Sequence, residues 1–126
     1  MNGERLYALR GATCCENSPE DIRNQVSLLY DSLLEKNRLA GEDIVSVIFS
    51  QTKDLNAVNP AAALRRSGRA GDLALFAVQE AGVKNSLPCV IRVLIHCYLQ
   101  EGTKPCHIYR NGAEVLRPDR GEVISD

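Results

Sequence analysis

The longest strand pattern in the chain spans residues 89–99 and reads CVIRVLIHCYL. Because successive side chains of a strand point to opposite faces of a sheet, the two faces of this segment can be compared. One face is wholly apolar and carries Cys89, Ile91, Val93, Ile95 and Cys97. The other face carries Arg92 between Val90 and Leu94. The segment therefore predicts a strand that is apolar on both sides, with one guanidinium in its middle.

Two helix patterns precede this strand. The first begins at Ser18, a good N-cap, with Pro19 at the first helical position, and it ends at residues 37–41. Apolar residues recur between these limits at the spacing of one helix face. A second, short helix of about residues 60–67 follows the same kind of start at Asn59.

Further strand patterns lie at residues 5–13, 44–50 and 73–78. Residues 44–50 read IVSVIFS, a β-branched apolar run that is typical of a strand buried on both faces. An Asn-Gly pair at residues 111–112 favours a type I′ turn, so it predicts a hairpin of residues 107–110 with residues 113–116. This order of elements describes one domain of the α/β type.

Length and charge restrict the class of protein. The chain has 126 residues with 15 basic and 16 acidic side chains, a net charge of -1 at pH 7. Such a length fits one domain, which we expect to span residues 1–118, with a mobile polar tail at residues 119–126. The nearly balanced charge argues against a nucleic-acid or anionic-membrane surface, since either would need a clustered basic excess.

Cysteine usage and hydrophobicity predict a cytoplasmic protein. The five cysteines are an odd number without a C-x-x-C pair, which is typical neither of a disulfide framework nor of a zinc ribbon. The first residues lack the apolar segment of a signal peptide. The longest apolar stretch is interrupted by Arg92 and His96, so we expect no membrane span.

The sequence lacks the common catalytic motifs, namely the P-loop, G-x-G-x-x-G, G-x-S-x-G and H-E-x-x-H. His96 and His107 each adjoin a cysteine, but strand neighbours point to opposite faces, so neither pair can chelate one metal. A site that joined His96 to Cys106 across strands would lack further ligands. We therefore expect structural histidines, cysteines that pack as small hydrophobic residues, and no metal.

Two arginines, Arg10 and Arg92, stand on strand faces that are otherwise apolar. An unpaired buried guanidinium is very costly, so each arginine needs a partner. One interpretation is an internal ion pair of Arg92 with Glu80 or Asp54, or an edge strand that exposes Arg92 to water. The other is an anion site built by both arginines. The excess of arginine over lysine, 11 to 4, favours small anionic ligands.

Short stretches from about residue 10 to residue 118 match one known family in their order and spacing. They read LRGAT at 9–13, DLNAV at 54–58 leading into Pro60 and Ala61, QE at 79–80, CVIRV at 89–93, HIY at 107–109 and VLRPD at 115–119. Each stretch is short, but the whole series is specific. On these residues the chain resembles the AroH class of chorismate mutases.

The resemblance implies that the chain rearranges chorismate to prephenate, a step in phenylalanine and tyrosine biosynthesis. Arg92 would donate to the ether oxygen and to a carboxylate of chorismate. Arg10 and Tyr109 would bind a carboxylate, and Glu80 would accept a hydrogen bond from the ring hydroxyl. The other substrate-binding residues would be Ala61 and Leu116 along the pocket wall, Arg65 near the mouth and Arg117 at a C-terminal flap.

The resemblance also implies an α+β fold, in which a mixed sheet is backed by two helices. Three subunits would form a homotrimer with a pseudo-barrel core and with active sites between subunits. The strand patterns agree with this assembly, because three strands are apolar on both faces and only two helices can cover them. The reaction is unimolecular and transfers no proton to the enzyme, so it needs preorganised cationic donors and no cofactor.

Three positions depart from the family pattern. Asn59 replaces a frequent aromatic lining residue, Ala62 replaces a frequent lysine at the entrance, and Ala77 replaces a frequent cysteine near the ring hydroxyl. Two other classes of function remain open. A Rid-type imine deaminase would turn over an imino acid, and a non-catalytic trimeric binding protein would bind a small anion such as prephenate without consuming chorismate.

Overall fold

The computed structural model describes residues 3–116, and this part of the chain forms five strands and two α-helices. The elements are β1 (Glu4–Cys14), α1 (Pro19–Lys36), β2 (Ile44–Gln51), α2 (Pro60–Arg66), β3 (Ala74–Gln79), β4 (Val90–Gln100) and β5 (Ile108–Arg110). The predicted strands and helices up to β4 agree with these bounds to within one residue or so. The expected domain end at residue 118 and the tail at 119–126 lie outside the described residues.

The five strands form one mixed sheet in the order β3-β2-β4-β1-β5. The central strand β4 runs antiparallel to both β1 and β2, and the edge strands β3 and β5 run parallel to their neighbours. Arg92 lies on β4 opposite Ala12 of β1 and Ser50 of β2. The predicted α+β class, with a mixed sheet backed by two helices, is thereby confirmed.

Both helices pack on the same face of the sheet. The side chain of Ser18 caps α1 by accepting a hydrogen bond from the backbone N–H of Asp21 at 3.1 Å. The main core lies between the helices and this sheet face, and its fully buried members include Ile22, Val26, Leu29, Leu33, Leu64, Ile91 and Ile95. Burial of one such side chain contributes roughly 1.5–3 kcal/mol of transfer free energy. Within residues 3–116 neither α-helix covers the other face of the sheet, and only the short 3-10 helix Ala113–Leu116 packs against part of it.

Neither helix in the described part of the chain is long and apolar enough to cross a membrane.

The predicted hairpin after β4 is wrong. Residues 108–110 do form a strand, β5, but it pairs in parallel with β1, and Ala113–Leu116 forms a 3-10 helix. Asn111 and Gly112 have positive φ angles of 53° and 100°, as a tight turn requires. The Asn111 side chain donates to the backbone carbonyl of Cys14 at 2.6 Å, which ties the turn to the end of β1. Ala113 is then buried against Ala12, Val90 and Tyr109, so packing outweighs the local hairpin preference.

Candidate active site

The strand arginines lie on the sheet face that the helices leave uncovered. In the pairing of β1 with β4, Arg10 is opposite Leu94 and Arg92 is opposite Ala12. The two arginines are therefore diagonal neighbours on one face. Positions related in this way are roughly 7–8 Å apart, which lets two long side chains reach the same small ligand.

A cavity of about 270 Å³ opens between these two arginines. Its wall includes Arg10, Arg92, Ile48, Ser50, Leu94 and Tyr109. Tyr109 of β5 is paired with Ala12 of β1, which puts the tyrosine on the same face as Arg92, and its side chain is buried. The volume is close to the lower end, about 300 Å³, of typical small-molecule sites, so the cavity suits a compact ligand.

Arg92 is paired with Glu80 by two hydrogen bonds. The Arg92 Nε donates to Oε1 at 2.9 Å, and Nη2 donates to Oε2 at 3.3 Å. The internal-pair interpretation is therefore correct for Glu80 and wrong for Asp54, whose carboxylate accepts hydrogen bonds from the backbone N–H of Cys89 instead. The Arg92 side chain is still 39% exposed, and its Nη1 makes no hydrogen bond within residues 3–116. One guanidinium can thus hold Glu80 and also donate to a ligand.

Glu80 follows directly after the edge strand β3. Its backbone N–H donates to the carbonyl of Gln51 at 2.7 Å, which extends the pairing of β3 with β2 by one residue. Glu80 also lines a second cavity of about 530 Å³, which is formed by residues 52–54 and by the loop that follows Gln79. The ion pair therefore stands between the arginine cavity and this loop cavity.

The two histidines have structural hydrogen bonds. The buried His107 accepts the backbone N–H of Arg10 at its Nδ1, at 3.0 Å, which holds β1 against the segment that leads into β5. The Nδ1 of His96 is 3.0 Å from the hydroxyl of Ser46 on the neighbouring strand. Both contacts agree with the structural roles that we expect for these residues.

The cysteines near the site are neutral thiols. Burial, followed by the carboxylate of Glu114, raises the pKa of Cys14, and burial, followed by Asp54, raises the pKa of Cys89. Burial, with Asp21 as the next cause, raises the pKa of Cys15 to about 12. Because the thiolate is the nucleophile and the metal ligand, these shifts agree with cysteines that pack rather than react. Among residues 3–116 no group of three or more His, Cys, Asp or Glu side chains could hold a metal ion.

The structure brings four of the predicted site residues together: Arg10, Glu80, Arg92 and Tyr109. Two others lie on α2, on the helix side of the sheet, where Ala61 is buried in the main core and Arg65 is exposed. Leu116, in the last 3-10 helix, packs near Tyr109. Arg117 lies outside the described residues.

The three departures from the family pattern have different surroundings. Asn59 is the N-cap of α2, where its Oδ1 accepts from the N–H of Ala61 at 2.8 Å and from that of Ala62 at 3.2 Å. An aromatic side chain at this position could not provide that cap. Ala62 is half-buried, and Ala77 packs against the main core.

Sequence reasoning missed the contribution of β2 to the site. Ile48 and Ser50 line the arginine cavity, yet the run IVSVIFS gives no alternation that separates a ligand face from a core face. It also missed Arg110, which is buried and donates to Thr13 at 3.0 Å and to the side-chain oxygen of Gln25. The sequence signal that could have identified these residues is a polar residue in an otherwise apolar strand, namely Ser50 in β2 and Arg110 in β5.

Fold and site together define a small α+β domain in which two arginines, a glutamate and a tyrosine gather around a cavity of the size of a compact ligand. The model of the family described as chorismate mutase type I matches residues 6–120 of the chain. The chain therefore belongs to the type I chorismate mutase family, as the resemblance predicted.

Individual relatives agree with this assignment. The chain is 33% identical over 116 residues to the chorismate mutase AroH of Bacillus subtilis (strain 168), covering 90% of this chain and 91% of the relative. It is 38% identical over 120 residues to the chorismate mutase AroH of Thermus thermophilus, covering 90% and 95%. Among solved structures, a chorismate mutase from Clostridium thermocellum matches with a TM-score of 0.79 and 38% identity, covering 87% of this chain and 99% of that one.

Proposed function

We propose that the chain rearranges chorismate to prephenate in the arginine cavity, for the biosynthesis of phenylalanine and tyrosine. Membership of the family makes the chain a chorismate mutase, which is an isomerase. The observation that carries the proposed site is the Arg92–Glu80 pair, with Arg10 at the same cavity on an uncovered sheet face. The imine deaminase and the non-catalytic binding protein are not favoured.

The reaction breaks the ether C–O bond of chorismate and forms a C–C bond within the same molecule, and no proton or group leaves. Negative charge develops on the ether oxygen as its bond breaks, so a donor aimed there binds the transition state better than the substrate. Arg92 suits that role, because Glu80 fixes one edge of its guanidinium while Nη1 faces no partner in residues 3–116. A fixed donor needs no reorganisation at the moment of reaction.

The other residues would hold the dianionic substrate in its reactive form. Arg10 provides the second cation at the cavity, and the Tyr109 hydroxyl would join it on a carboxylate. Each carboxylate oxygen of Glu80 has two acceptor positions, so Glu80 can keep Arg92 in place and still accept the ring hydroxyl. Leu116 would cover the ring, and Arg117 would approach from the flap.

The uncovered sheet face supports a homotrimer with a pseudo-barrel core. Large apolar side chains stand exposed there, including Leu6 (47%), Phe76 (63%), Val78 (42%) and Tyr98 (44%). Contiguous exposed apolar residues are typical of an interface between proteins. Since α2 lies on the helix side of its own sheet, the exposed Arg65 would reach a cavity only in a neighbouring subunit, while Ala61 packs in the core of its own subunit. This supports active sites shared between subunits.

A cytoplasmic location is supported by the cysteines. All five are free thiols, as expected in a reducing compartment.

The test is the depletion of chorismate by the purified protein, followed at the absorbance of the disappearing diene, with prephenate identified as the product. Turnover of an imino acid with no loss of chorismate would instead indicate a deaminase, and binding without consumption would indicate a carrier. Sedimentation at micromolar concentration tests the assembly. We expect the mass of three chains, and the mass of one chain would contradict the shared site.

A further inference from the structure

A small network of hydrogen bonds surrounds Cys89 and Val90, where the chain enters β4. The two carboxylate oxygens of Asp54 accept the backbone N–H of Cys89 at 3.2 and 3.1 Å. The Thr52 hydroxyl donates to Asp54 at 2.5 Å and accepts the N–H of Val90 at 3.0 Å. The backbone N–H of Thr52 donates to the carbonyl of Val90 at 3.1 Å. Both N–H groups at the start of β4 are therefore held by side chains of one loop.

Cys89, whose N–H is held by Asp54, has an unusual backbone conformation. Cys89 has a φ of 56°, in the left-handed region that non-glycine residues seldom adopt. Such a conformation persists only where the surroundings hold it, and two carboxylate oxygens on its N–H do so. Arg92 lies three residues further along the chain, so the direction in which β4 leaves Cys89 sets the position of the guanidinium.

The last residue of β2, directly before this loop, holds the partner of Arg92. The carbonyl of Gln51, next to Thr52, accepts the backbone N–H of Glu80 at 2.7 Å. Residues 51–54 thus contact the chain on both sides of the ion pair, at Glu80 and at the start of β4. A shift of this loop would change the relative positions of the carboxylate and the guanidinium.

We propose that Asp54 is a positioning residue for the Arg92–Glu80 pair, acting through Thr52 and the left-handed backbone of Cys89. As regards catalysis the inference rests on the proposed function, because it assumes that Arg92 stabilises the transition state. Asp54 itself does not line the arginine cavity and contacts the site only through the backbone.

The charge state of Asp54 agrees with this role. The hydrogen bond from Thr52 is the largest cause that lowers the pKa of Asp54, and the backbone N–H of Cys89 lowers it further. The side chain is therefore a carboxylate at neutral pH, when both donors are satisfied.

The kinetic test is Asp54→Ala with chorismate as substrate. We expect kcat to fall about 10-fold, because small displacements of a catalytic donor cost one or two orders of magnitude. KM should change less than about 3-fold, since the substrate-binding side chains are intact.

A rescue variant separates a positioning role of Asp54 from a general loss of structure. Glycine adopts positive φ readily, so adding Cys89→Gly to Asp54→Ala should restore most of the lost kcat.

Two control variants are matched to this test. Lys53→Ala changes the neighbouring exposed residue of the same loop and should leave kcat unchanged. Asp31→Ala removes the two-point pair with Arg69, at 2.8 and 2.7 Å, and should lower stability without lowering kcat.

A spectroscopic readout tests the positioning without activity. The NMR signal of the Arg92 Nε–H, assigned by its loss in Arg92→Lys, reports the hydrogen bond to Glu80. We expect this signal to shift in Asp54→Ala and to return towards its original place when Cys89→Gly is added. If Asp54→Ala does not fold, Thr52→Val, which keeps the side-chain shape, is expected to shift the signal in the same way.

An unchanged signal with unchanged kcat in the folded variant would overturn the inference, and so would a loss that Cys89→Gly does not reverse. If the wild type fails to consume chorismate, the proposed function is wrong, while the NMR comparison still decides whether Asp54 positions the pair.

Discussion

The side chains of Arg92 and Glu80 form an ion pair across an intervening strand. Arg92 lies on β4, Glu80 follows β3, and β2 separates these two strands in the sheet, with Ser50 opposite both Arg92 and Val78. The two side chains nevertheless make a two-point ion pair, with distances of 2.9 and 3.3 Å. The pair explains how one guanidinium can stand on an otherwise apolar strand and still be available to a ligand.

Replacing Arg92 by citrulline should lower kcat far more than it raises KM. Citrulline keeps the shape of the side chain and removes its positive charge, so in the proposed mechanism the developing charge on the ether oxygen would lose its cationic donor. From donor deletions in other sites we expect a loss of about 3 kcal/mol or more, a factor of about 10²–10³. Steady-state kinetics of the semisynthetic protein would measure both constants.

The matched variant Arg92→Lys keeps the charge without the planar fork, and it should remain strongly impaired. A citrulline protein that keeps the wild-type oligomeric state and near-native kcat, with only a higher KM, would show that Arg92 merely anchors a carboxylate.

Glu80→Gln should lower kcat by about 10- to 100-fold, because the neutral amide holds the guanidinium less firmly and misplaced catalytic groups lose this much. Glu101→Gln, in an exposed turn away from the cavity, is the control and should behave as the wild type. Kinetics of the two variants at equal salt would separate a specific effect from the loss of one negative charge. Near-native kcat in Glu80→Gln would exclude Glu80 from catalysis.

Arg65→Ala should raise KM and change kcat little, because in the proposed shared site Arg65 would attract and bind the dianion at the mouth without touching the reacting atoms. Arg66→Ala removes the same charge from the adjacent exposed position in the last turn of α2, which makes it a close control. Equal effects of both variants on KM would indicate a general charge effect instead of a specific contact.

Turnover should change little between about pH 6 and 8. The rearrangement exchanges no proton with the protein, so turnover requires no group of the site to change its protonation state. A series of kcat and kcat/KM values in buffers of constant ionic strength would measure the profile. A steep bell with its centre near 7 would argue for a different reaction.

Two buried thiols should make the protein less stable in alkali. Burial is the largest cause that raises the pKa of Cys15 to about 12 and that of Cys97 to about 11, from an ordinary value of 9.0. Because the folded-state pKa lies above the unfolded one, the stabilisation is complete below about pH 9 and is lost progressively from there up to about pH 11 for Cys97 and about pH 12 for Cys15. The free energy of unfolding should fall by up to about 1.4 kcal/mol per pH unit for each thiol.

Urea unfolding at several pH values from 8 to 10.5 would measure this slope. Cys97→Ala should show a shallower decline than the wild type, and an equal slope in both proteins would contradict the prediction.

Local patterns predicted much of this fold. The strands and helices up to β4 follow from apolar periodicity and from the N-caps at Ser18 and Asn59, which depend on neighbouring residues only. The hairpin failed because the Asn-Gly preference is local, whereas Asn111 bonds to Cys14 and Ala113 is buried in the cluster around Tyr109.

By itself, the amino-acid sequence determined which residues form the strands and helices up to β4, that Arg10 and Arg92 stand on apolar faces, and which family the chain resembles. Only the tertiary structure decided that Arg92 pairs with Glu80 instead of Asp54, that β5 lies parallel to β1, and that residues 51–54 contact the chain on both sides of the ion pair. The reason is that periodicity acts over a few residues, while these contacts join distant segments. His107 accepts the N–H of Arg10 across 97 positions, and such a contact depends on sheet order and register, which only the packing of the whole chain sets.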